Sequence, residues 1–180
     1  MESKAKLFGH SIHQMLIVFP LGLLATSFLF DVVYLATENG RFADISFWMI
    51  ASGLVGGLVA AVFGLIDWVD IPSGTRAKRI GALHGIGNAV VAGLFAVSWF
   101  IRYDLPGDPG VGAIVLSGLA VMLVFVTGWL GGELVDRLAV GVDEGAHLDS
   151  PSSLSRRPAH EHERHAARVH VRRIPVNVRR

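Results

Sequence analysis

The chain has 180 residues, of which 52% are hydrophobic and 17% charged, with a formal net charge of +1. At a mean hydropathy of +0.51 it has too little polar surface to cover a water-soluble domain of its size. It contains no cysteine, which excludes disulfides, thiolate metal sites, iron–sulfur clusters and covalent c-type haem attachment.

Four stretches, 14–30, 45–66, 80–101 and 109–132, carry no Asp, Glu, Lys or Arg. A helix rises about 1.5 Å per residue and a bilayer's hydrocarbon core is about 30 Å thick, so about 20 apolar residues cross it. The pattern predicts an all-α fold: a four-transmembrane-helix, up-down-up-down bundle in residues 1–142, with helices at about 11–36, 45–68, 80–103 and 111–135. The first stretch is too long for the apolar core of a signal peptide, ends at Asp31 and Tyr34, and has no small-residue cleavage site close behind it. It reads as a retained helix.

Helix 1 opens with His10 and His13, three residues apart on one face. Pro20, seven residues after His13, is expected to free a backbone carbonyl and kink the helix. On helix 2 the small residues Gly53, Gly57, Ala60 and Gly64 form a stripe leading to Asp67, and membrane helices approach one another through such stripes. Helix 3 places Gly81 and Gly85 around His84, with Asn88 one turn on. Helix 4 runs through Thr127, Gly128, Gly131 and Gly132 to Glu133. His10, His13, Asp67, His84, Asn88 and Glu133 therefore fall at one depth, with the histidine helices diagonal in a square bundle. Asp31 and Arg102 lie near the other surface and are placed to pair with each other.

Lys4, Lys6, Arg76, Lys78, Arg79 and Arg137 fall on one side of this topology, against Arg41 and Arg102 on the other. The positive-inside rule then puts both termini in the cytoplasm of an inner-membrane protein. Tyr34, Trp48, Trp99 and Tyr103 form a belt at the outer ends, Trp68 and Trp129 one at the inner ends. Residues 143–180 turn polar and then rich in Arg and His, a composition that reads as a disordered cytoplasmic tail suited to anionic headgroups. The run His160-Glu161-His162-Glu163-Arg164-His165 reads as a polar stretch before a metal site. The alternation Val169-His170-Val171-Arg172 and Val176-Asn177-Val178 hints at a strand with no sheet to join.

The segment from Gly9 through His10, His13, Leu16, Phe19 and Pro20 to Gly22 resembles the opening motif of an uncharacterised bacterial family of small four-helix membrane proteins, G-H-P-x-H-P-x-L-x-x-F-P-x-G. Further matching pieces are Phe63 to Asp67, the His84 and Asn88 pair, and Gly128 to Leu134, so that the likeness spans residues 9 to about 142. Ser11 and Gln14 stand where that family carries proline. The resemblance implies fold and location and no activity.

Three functions fit the pattern. The first is a structural or regulatory membrane module whose polar cluster binds the helices together. A second is a redox protein holding b-type haem between helices 1 and 3, with His13 or His10 as one axial ligand, His84 as the other, and an external redox partner. In the third, His10, His13 and His84 with Asp67 or Glu133 hold a non-haem metal such as zinc, iron or manganese. The sequence has no Ser-His-Asp arrangement, nucleophile elbow, H-E-x-x-H or phosphate-binding glycine loop. Nothing in it fixes a homo-oligomeric state.

Overall fold

The computed structural model describes residues 1–161. Among the described residues, four helices are long and apolar enough to cross a membrane: α1 (Ile12–Thr37), α2 (Gly40–Asp70), α3 (Arg76–Ile101) and α4 (Val111–Arg137). Neighbours in sequence pack most closely, α1 against α2 and α3 against α4, and the two resulting hairpins join through α2 with α3 and α1 with α4. Every helix contributes to the apolar centre, where Leu24, Ile50, Val91, Phe95 and Ala120 meet. Around the outside, large apolar side chains such as Phe19, Leu58, Ile86, Phe100 and Phe125 are exposed, as a lipid-facing perimeter requires.

The first helix is interrupted one turn before Pro20. A proline at position 20 has no N–H to give to the carbonyl of Leu16, and α1 breaks at Ile17, between Ile12–Leu16 and Val18–Thr37. Two helices begin earlier than hydropathy alone sets them. Asn39 caps α2 by accepting the backbone N–H of Arg41 at 3.2 Å, and Thr75 caps α3 by accepting that of Lys78 at 3.1 Å. Such caps satisfy orphan first-turn donors, so helix continues through the charged residues that interrupt the apolar runs. At the end of α4, residues Glu133–Arg137 widen into a π-turn.

Before α1 the chain makes a small hairpin that hydropathy does not signal. Strand β1 (Lys6–Leu7) pairs antiparallel with β2 (His10–Ser11). The two turn residues, Phe8 and Gly9, both have positive φ, 51° and 86°, the conformation that two-residue hairpin turns favour. The chain after α4, from 138 to 161, lies beside this hairpin in turns, with one 3-10 turn at Ser153–Ser155. Residues 143–161, expected to lack structure, thus touch the N-terminal segment: Glu144 donates its N–H to Glu2 at 3.2 Å, and Lys6 bridges Glu2 and Asp143. The His-Glu-His run from His162 onward, and the strand-like alternation beyond it, lie outside the described residues.

The turn between α2 and α3 is fixed from both sides. Lys78 lies 3.9 Å over the Trp68 ring and donates to the carbonyls of Trp68 and Val69, and the Trp68 indole N–H donates to the carbonyl of Lys78 at 3.1 Å. A cation at a helix C-terminus also meets the negative end of its dipole.

Candidate functional site

His13 and His84 face each other across the bundle, ring centroids 6.5 Å apart and planes at 89°. Each ring is tied to the partner helix of its own hairpin. His13 Nδ1 stands 2.8 Å from the carbonyl oxygen of Ala60 on α2, and His84 Nδ1 stands 2.8 Å from that of Thr127 on α4. A carbonyl oxygen only accepts, so each Nδ1 carries the hydrogen, and in the neutral ring Nε2 is left with a lone pair. The Nε2 of His84 faces the amide of Asn88 at 3.1 Å.

Glycine makes these seats. A Cβ on Gly64, one turn beyond Ala60, would stand 2.8 Å from His13 Cε1, and a Cβ on Gly131, one turn beyond Thr127, would stand 3.1 Å from His84 Cε1. The small-residue stripes read from the sequence therefore serve partly as ring pockets. Both histidines are half-buried, while Ala60 and Thr127 are buried.

The other candidates at this depth have different partners. Asp67 is buried and accepts from Ser3 Oγ at 2.7 Å, the Lys4 backbone N–H at 3.2 Å and Ser11 Oγ at 3.4 Å. It fastens the N-terminal hairpin to the end of α2. Glu133 pairs with Arg76, joining the ends of α4 and α3. His10 sits exposed on the hairpin, its Nδ1 3.3 Å from the carbonyl of Phe8. The structure brings together His13, His84 and Asn88 and leaves His10, Asp67 and Glu133 outside that group. Among the described residues no three His, Asp or Glu side chains converge as a metal-holding set.

A second polar centre lies at the opposite end. Arg102 is buried and reaches Asp31 on α1, Ser46 on α2 at 3.2 Å, Ser98 on α3 at 3.0 Å and Ser117 on α4 at 3.3 Å. Ser98 also donates to the carbonyl of Ala113 at 2.7 Å. The pairing of Asp31 with Arg102 was legible in the sequence; its burial and the three serines around it, one from each of α2, α3 and α4, were not. A signal existed. His13 and His84, Ser27 and Ser98, Asp31 and Arg102, and Ser46 and Ser117 are each 71 residues apart, so the second hairpin repeats the polar spacing of the first. Parallel repeats about an axis along the membrane normal are a known way to build membrane folds.

Outside the spans, the groups that link Lys6, Glu2 and the segment after α4 are electrostatically matched. The hydrogen bond from Lys6, with that from the Glu144 N–H, holds the Glu2 carboxyl below its usual range. Burial works against the Lys6 charge, but the hydrogen bonds to Asp143 and Glu2 outweigh it and raise its pKa.

Residues 9–144 match a family model described as a predicted membrane protein, DUF2231. No curated protein and no solved structure matches the chain.

Proposed function

The chain belongs to the DUF2231 family of predicted membrane proteins, and from that premise we propose that it is a structural or regulatory four-helix module of the bacterial inner membrane, with both termini cytoplasmic. The observation that carries this reading is the use made of four interior polar groups, each of which joins separate elements of the bundle. His13 ties α1 to α2, His84 ties α3 to α4, Asp67 ties the N-terminal hairpin to α2, and Arg102 ties all four helices at the far end. Interhelical hydrogen bonds of this kind contribute roughly 0.6–2 kcal/mol each.

Charge supports the orientation. Lys4, Lys6, Arg76, Lys78, Arg79 and Arg137 gather at the hairpin end, and since Arg102 is buried in an ion pair, Arg41 is the basic side chain left exposed at the other end among the described residues. In this reading the partners are the lipid bilayer and, through the Arg-rich segment after 155, anionic headgroups. Thermal unfolding in mild detergent tests the module reading. Asp67→Asn and Arg102→Met should each lower the midpoint clearly, and two variants as stable as the wild type would overturn it. A reporter fused after Glu161 tests the topology, with activity only in a cytoplasmic format expected.

A further inference from the structure

The ties just described use Nδ1 of His13 and His84; nothing in them uses Nε2. We propose that His13 and His84 are the axial ligands of a b-type haem, bound between α1 and α3 near the hairpin end. This inference goes beyond the module reading and does not depend on it.

Three observations converge on the pair. Both rings donate Nδ1–H to a backbone carbonyl, at 2.8 Å in each case. A metal-ligating histidine is almost always held by such a second hydrogen bond, which fixes the tautomer and the ring orientation and makes Nε2 more basic. Hydrogen bonds of equal length on two helices, with a glycine one turn beyond each acceptor, build the same support twice.

The spacing of the rings selects the kind of centre. Metal–imidazole bonds of about 2.0 Å, the length zinc makes, on opposite sides of one ion set the ring centroids roughly 6 Å apart, and here they are 6.5 Å apart. Two nitrogens on opposite sides are all that a haem iron asks of a protein, since the macrocycle supplies the rest. A bare zinc ion takes four ligands, and among the described residues no third His, Asp or Glu side chain joins the pair. Haem therefore fits this donor set better than a bare ion does. Asn88, exposed and 3.1 Å from His84 Nε2, would give up that contact to an iron.

The test is a haemin titration of the purified full chain in mild detergent, with oxidised and reduced visible spectra and elemental analysis. One haem per chain with the sharp bands of low-spin, six-coordinate iron is expected. His13→Ala and His84→Ala should each lose the low-spin bands and bind haemin more than about tenfold more weakly, while His10→Ala should match the wild type. Should the alanine variants fail to fold, judged by circular dichroism, His84→Met decides: it keeps an axial donor and should give the altered spectrum of mixed His and Met ligation. The proposal is overturned if haemin does not bind, if it binds wild type and alanine variants alike, if His84→Met leaves the wild-type spectrum unchanged, or if a stoichiometric non-haem metal is present and lost in both variants.

Discussion

Asp31 and Arg102 meet in a two-pronged ion pair, Nη1 to Oδ1 at 2.8 Å and Nη2 to Oδ2 at 3.1 Å, with both side chains closed off from the surface. Away from water such a pair is favourable only while both charges are present and the remaining donors are bonded, and here Ser46, Ser98 and Ser117 take part of that load.

Removing one charge should therefore cost far more than removing both. Asp31→Leu or Arg102→Met alone is expected to destabilise by about 3–5 kcal/mol, because each leaves a buried charge unpaired, whereas the double variant Asp31→Leu with Arg102→Met should recover most of that loss. Denaturant unfolding in detergent measures all three. Single-variant losses that simply add in the double would show that the two groups are not coupled.

The glycine seats can be tested by adding one methyl group. Gly64→Ala and Gly131→Ala should each push a ring off its carbonyl and cost about 1–3 kcal/mol, with Gly64 the more sensitive because its added carbon would stand closer to the ring, 2.8 Å against 3.1 Å. Gly85→Ala is the control: nothing lies within 4 Å of its added carbon, so helix propensity should leave it neutral or stabilising by about 0.5–1 kcal/mol. If all three behave alike, the ring-pocket explanation fails.

Asp67 should govern access to the N-terminal segment. Asn in its place keeps one acceptor oxygen but turns an N–H₂ toward donors from Ser3, Lys4 and Ser11, and hydrogen bonds to a charged group contribute about 1.5–3 kcal/mol. Trypsin should cut after Lys4 and Lys6 faster in Asp67→Asn than in the wild type. Equal cutting rates would mean that something else holds the hairpin.

The link between Glu2, Lys6 and the segment after α4 should open at both pH extremes. Glu2 titrates below its ordinary 4.5 when folded, so its contribution is complete above that value and is lost as pH falls through the depressed one. Lys6 titrates above its ordinary 10.5, so its contribution is complete below that value and is lost as pH rises through the raised one. Hydrogen exchange at the Glu144 amide should be slowest, relative to its intrinsic rate, across the window between. A Lys6→Met variant that keeps the same protection profile would contradict the assignment.

The four spans were legible because desolvating a charge inside a bilayer is costly, so charge-free runs mark membrane helices almost by themselves. Helix starts were less legible. Hydropathy stops at the first charge, while Asn39 and Thr75 carry the caps that let α2 and α4's neighbour α3 begin before it. That His13 and His84 lie near each other could be read from position along the helices; the partners of these rings, and those of Asp67 and Glu133, could not. A backbone carbonyl such as that of Ala60 or Thr127 has no residue-type signature, and neither do the serines that ring Arg102. The N-terminal hairpin was hidden for a similar reason, since two-residue strands leave no period to detect.

The 71-residue repeat has a consequence for how the two halves recognise each other. At equivalent positions one hairpin carries Asp31 and the other Arg102. Two copies of the first hairpin would bring carboxylate against carboxylate at this buried point, and two copies of the second would bring guanidinium against guanidinium. Only the mixed arrangement is neutral there. The opposite charges thus act as a plug and socket, making each half the obligatory complement of the other rather than of itself, while the matching histidines at the far end remain alike.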